Sequence, residues 1–62
     1  MSNVSRFHNV GYDSTRNKWK AGVTHEGKIH YQKRFDSEID AALHVNWILD
    51  KLNLVNRPKN IV

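Results

Sequence analysis

Lys18, Lys20, Gly22 and Thr24 alternate with Trp19, Ala21 and Val23 in this 62-residue chain. Successive side chains of an extended strand point to opposite faces, so this spacing puts basic and small polar groups on one side and an apolar set on the other. Cations on a flat, open surface neutralise phosphates and release counterions, which supplies most sequence-independent affinity for nucleic acid. Arg16, Lys33 and Arg34 join Lys18 and Lys20 as expected phosphate contacts. Gly22 and Thr24, next to the lysines on the same side, leave room for base edges.

Other chemistries lack their residues. His8, His25, His30 and His44 show no HxxxH or HExxH spacing and cysteine is absent, so no metal and no other cofactor is expected. His25 and His30 flank a predicted turn and are the pair best placed to meet. Asp13, Asp36, Asp40 and Asp50 form no recognisable acid–base pair, and no nucleophile–base spacing or glycine-rich phosphate loop occurs. The expectation is a binding protein, not an enzyme, with no small-molecule substrate.

The elements that must position the cations follow from the same patterning. Residues 1–5 read as a loose end, and residues 6–12 as a first strand with Phe7 and Val10 apolar. Asp, Ser and Asn crowd residues 13–17, where their side chains hydrogen-bond their own backbone and favour a turn. A second strand is expected over residues 18–25, a tight turn at Glu26-Gly27 and a third strand over residues 28–35. Ser37-Glu38-Ile39-Asp40 fits a capping box opening a helix from Glu38 to about Asn53, roughly 24 Å at ~1.5 Å per residue. Ala41, Ala42, Val45, Ile48, Leu49 and Leu52 make its core stripe. A second stripe, Ile39, Leu43 and Trp47, is expected beneath the first strand and the tail, with weak self-association as the lesser alternative. Pro58 ends any helical continuation, and residues 57–62 are expected as an extended tail folding back. The predicted fold class is α+β: a three-stranded antiparallel sheet packed against one C-terminal α-helix (βββα), with the other sheet face bare.

One domain, residues 1–62, with a core over about 6–54 and a tail over 55–62, is all this length permits; a chain this short buries only ~60% of its unfolded surface. Residues 1–35 hold seven lysines and arginines against two carboxylates, and residues 36–62 hold three against four. That segregation points to a polyanionic partner rather than to charge scattered for solubility. No apolar run approaches ~18 residues and no signal peptide is visible. The expectation is an intracellular protein without membrane contact, in the cytoplasm or nucleoid of a bacterium or phage-infected host, or the nucleus if eukaryotic.

Val10-Gly11-Tyr12-Asp13, Arg16-Asn17-Lys18-Trp19-Lys20-Ala21, Glu26-Gly27-Lys28, Tyr31, Phe35-Asp36-Ser37-Glu38 and Asp40-Ala41-Ala42 together resemble the AP2/ERF DNA-binding domain. The form they look most like is that of phage and bacterial proteins. The resemblance covers about residues 7–54 and rests on the ordered series of tryptophan strand, glycine turn, phenylalanine before the helix and paired alanines within it. It implies a βββα fold whose free sheet face enters the major groove of double-stranded DNA. Carried over by position, the implied contacts are His8, Asn9, Tyr12, Arg16, Lys18, Lys20, Gly22, Thr24 and Tyr31. Plant members place arginines where this chain has His8 and Thr24, so their base preference does not transfer. Gln32-Lys33 replaces the usual Leu-Gly, and Ile29-His30 reverses the common basic-then-apolar order. Either a bulge shifts the register of the third strand or His30 is partly buried.

By their chemistry, Arg16 is the preferred base reader, since a guanidinium bonds a guanine edge bidentately, and Asn9 is the second through adenine. Thr24 suits a base or a thymine methyl, and Tyr31 a sugar. Trp19 and Phe35 belong to the core. The functional expectation is double-stranded DNA binding by a small transcriptional regulator, or by a DNA-targeting module of a phage or mobile-element protein. The alternatives are RNA binding by the same sheet and protein contact through Ile39, Leu43 and Trp47. A monomer is the expected state.

Overall fold

Two short turns set the sheet. A computed structural model describes residues 6–61; the loose end expected at residues 1–5 and the last residue, Val62, lie outside the described residues. Strands β1 (Val10–Asp13), β2 (Lys18–His25) and β3 (Lys28–Phe35) are antiparallel in the order β1-β2-β3, and helix α1 (Glu38–Lys51) follows them. This is the α+β, βββα arrangement that the patterning predicts. In the first turn, Asp13 accepts the Thr15 N–H at 3.2 Å through Oδ1 and the Arg16 N–H at 3.2 Å through its carbonyl. In the second, Glu26 and Gly27 take φ of 53° and 76°. Two consecutive left-handed residues make the type I′ turn, whose twist matches that of the strands it joins.

The first strand starts later than residue 6. Asn9 is left-handed, with φ 61°, which breaks the extended run. The backbone of His8 is served instead by the tail: its N–H donates to Asn60 Oδ1 at 2.6 Å, and its carbonyl accepts from Asn60 Nδ2 at 3.1 Å. Asn60 also exchanges hydrogen bonds with the Asn46 side chain of α1, at 2.7 and 2.8 Å. The tail therefore folds back as expected, and a buried asparagine, 7% exposed, holds it there.

One irregularity governs the sheet. Ala21 pairs with Lys33 and Val23 with His30, so two steps along β2 face three along β3, and Tyr31 and Gln32 together oppose Gly22. Tyr31 has φ 54°, and its carbonyl accepts from His44 Nε2 of α1 at 2.7 Å. A Cβ on residue 22 would lie 3.1 Å from Ile29 Cγ2 and 3.3 Å from the Gln32 backbone, so glycine lets the bulged strand close on β2. Both sequence readings of β3 hold: the strand is bulged, and His30 is half-buried.

Ser37 caps α1, its hydroxyl accepting the Asp40 N–H at 3.4 Å. The helix ends two residues before the expected Asn53, which is left-handed at φ 57°. There Leu54 N–H reaches the Leu49 carbonyl at 2.9 Å and Asn53 N–H the Asp50 carbonyl at 3.1 Å. This is a Schellman end, with asparagine where glycine is commoner. The core lies between sheet and helix: Val10, Ala21 and Val23 against Ala41, Ala42, Val45, Ile48 and Leu49, with Phe7, Trp19, Phe35, Leu52 and Leu54 packed around them. Three alanines at the contact let the helix lie close to the strands. Ile39, Leu43 and Trp47 are not beneath β1 and the tail as expected; each is about half exposed. The hydrogen bonds that tie the tail to α1 fall on Asn46, and Trp47 packs instead against Tyr31 of β3.

Candidate nucleic-acid interface

Because Trp19, Ala21 and Val23 face the helix, Lys18, Lys20, Gly22 and Thr24 face away from it. Residues paired across strands share a face, so Gly11 and Asp13 of β1 and Ile29 and Arg34 of β3 stand on that open side with them. Arg16 joins from the first turn by its bond to Asp13.

Two of the cations there share one carboxylate. Asp13 Oδ2 accepts from Arg16 Nη1 at 3.1 Å and from Arg34 Nε at 3.2 Å, while Oδ1 holds the turn. Its side chain is only 14% exposed. Burial raises the pKa of Asp13, but hydrogen bonds from Arg34 and Arg16 and the nearby Arg16 charge outweigh that and hold the carboxyl below its ordinary range. Lys18 pairs with Asp36 just before α1. Lys20 has no hydrogen-bond or ion-pair partner among the described residues. The face thus carries four cations and two carboxylates. An exposed pair such as Lys18–Asp36 is worth only ~0–1 kcal/mol, so exchanging Asp36 for a phosphate costs little.

The structure gathers Arg16, Lys18, Lys20, Gly22 and Thr24 of the expected contacts on this face. Of the other five, three lie on the helix side. Tyr12 pairs with Trp19 and packs edge-on against it at 5.0 Å, on the helix side, its hydroxyl donating to Asn17 Oδ1. Tyr31 packs edge-on against Trp47 of α1 at 5.3 Å. Lys33 pairs with Ala21 and holds its Nζ 5.5 Å from the centre of the Phe35 ring, again on the helix side. A single cause accounts for Tyr31 and Lys33. Without the bulge, the register beyond the second turn would set Lys33 opposite Lys20 and Tyr31 opposite Gly22, both on the open face. One extra residue reverses every later assignment, withdrawing Lys33 and delivering Arg34. His8 and Asn9 are exposed in the segment before β1, tied down through Asn60.

Sequence reasoning missed Ile29, 58% exposed and lying over Gly22 on the open face. It also missed Asp13 as a partner of the arginines; the three-residue spacing to Arg16 was the available signal. His25 and His30 do meet, with ring centres 6.1 Å apart, His30 Nε2 donating to the His25 carbonyl at 3.2 Å. Among the described residues, no three His, Asp or Glu side chains group as a metal ion would need. No helix there is long and apolar enough to cross a membrane. No family model, curated protein or solved structure matches the chain.

Proposed function

We propose that this chain binds double-stranded DNA, laying the open face of its sheet and its first turn into the major groove. The observation that carries the reading is the gathering of Arg16, Lys18, Lys20 and Arg34 on the sheet face that none of the described residues covers. The major groove admits a two-stranded β-ribbon, and β2 with its neighbour offers one edged by cations. The AP2/ERF-like series of residues supports the same docking. Its role would be that of a small transcriptional regulator or the DNA-targeting module of a phage or mobile-element protein.

RNA fits less well. Single-stranded RNA is held on sheets by exposed aromatic rings, and the deep A-form major groove excludes side chains. Tyr12, Trp19, Tyr31 and Phe35 all pack toward the helix side, which leaves the open face without a stacking platform. Protein contact through α1 has one observation in its favour, the half-exposed Ile39, Leu43 and Trp47. Three such side chains fall far short of the ~800 Å² per partner of a standard interface, so a monomer with at most weak self-association is the state they support.

Anisotropy titration of a labelled random duplex against salt tests the proposal. Affinity should fall with a log–log slope near −0.9 per phosphate contact, and Lys20→Ala should flatten it by about one contact. Duplex binding that ignores salt, or a single-stranded RNA that binds more tightly, would refute the reading.

A further inference from the structure

Arg34 is the cation whose geometry differs from its neighbours. It starts on β3, and its Nε reaches Asp13 on β1, two strands away. Strands lie ~4.8 Å apart, so the side chain must cross β2 and carry its guanidinium over the middle of the sheet. The bond to Asp13 uses Nε alone. Among the described residues both terminal amino groups stay free, and an arginine fork of two parallel N–H donors matches the O6 and N7 acceptors of guanine. Arg16 instead spends Nη1 on the same oxygen and sits in the turn with its side chain 59% exposed. The lysines are compact point charges on flexible stems and lack the rigid planar fork that presets the paired contact.

Asp13 is itself fixed. Its second oxygen holds the Thr15 N–H, so the carboxylate cannot swing away from Arg34 without breaking the turn. A guanidinium held in advance loses less freedom on binding, and its contact is correspondingly more selective.

The geometry points to Arg34, buttressed by Asp13, as the residue that reads one guanine of the bound duplex. This rests on the duplex-binding reading above. Arg34 sets preference at that base pair, while Lys18 and Lys20 set strength on any sequence. Asp13 is a positioning residue: it lies on a surface meant for phosphates, where an unneeded carboxylate would only repel.

The test begins with selection from a randomised duplex library by the full chain. The selected duplex is then titrated with 7-deazaguanine, which lacks the N7 acceptor, at each guanine in turn. The full chain should lose about tenfold in affinity at one position. Arg34→Lys keeps the charge but loses the planar fork, so its salt slope should stay the same while the response at that one position weakens. Asp13→Asn retains an oxygen for the Thr15 N–H and removes a negative charge; it should bind random duplex at least as tightly yet lose discrimination at the same position. Melting curves confirm that each variant is folded, and either variant alone suffices if the other fails to fold. Three outcomes would overturn the inference while leaving duplex binding in place: a full chain that selects no preferred sequence, variants that keep full preference, or variants that weaken every sequence equally. Absence of salt-dependent duplex binding by the full chain would remove both readings.

Discussion

Burial pushes the Asp13 carboxyl up, hydrogen bonds from Arg34 and Arg16 bring it down, and the balance sits below the usual carboxylate range. A group lowered on folding stabilises the folded state above its unfolded pKa of ~3.9 and loses that contribution as pH falls through the folded value. Wild type should therefore be more stable than Asp13→Asn in urea at pH 7, with the gap narrowing below about pH 4. A gap of constant size would show that the arginines do not distinguish carboxylate from amide. Half of this cluster was legible in advance. Asp13 and Arg16 lie three residues apart across a predicted turn, but Arg34 reaches Asp13 only in the bulged register. The placement of Tyr12 could have been read from Val10, because two residues on, the chain returns to the same side of the strand.

At the scale of elements, propensity and pattern agree closely. The alternation in β2, the Glu26-Gly27 turn and the Ser37 cap each use a local rule, and local rules can be read from neighbours. Ser37→Ala should cost about 1 kcal/mol, visible as a lower urea midpoint with unchanged slope. Ile48, fully buried against the sheet, is more demanding. Its change to alanine should cost ~2–5 kcal/mol. A domain of this size holds only about 3–9 kcal/mol in all, so Ile48→Ala should be partly or wholly unfolded at 37 °C by circular dichroism. The bulge was not legible as a certainty. The reversed order Ile29-His30 signalled it, but where the extra residue is taken up depends on Gly22 across the strand pair and on His44 from the helix.

For the whole molecule, the uneven charge along the chain foretold that the sheet would be the basic part of the fold, since residues 10–35 form its strands and turns. The closure of the fold was hidden. Asn60 joins the segment before β1 to the middle of α1 by four hydrogen bonds, and no periodicity marks an asparagine for that work. Asn60→Ala removes the two bonds made by its side chain and leaves the backbone groups of His8 unsatisfied or newly wetted. A loss of ~1–3 kcal/mol is expected, with faster amide exchange at His8 and Asn9 and little change along β2 and β3. Protection lost evenly over the sheet would mean that the latch supports the core rather than the entry segment. The bulge has one more consequence. β3 is an outer strand, and the turned backbone at Tyr31 interrupts the row of amides and carbonyls along its rim. An incoming chain cannot extend the sheet there in unbroken register, and Lys28 and Lys33 on either side of the gap repel a second copy. The same extra residue that hands Arg34 to the open face also guards a small protein against fibrous growth.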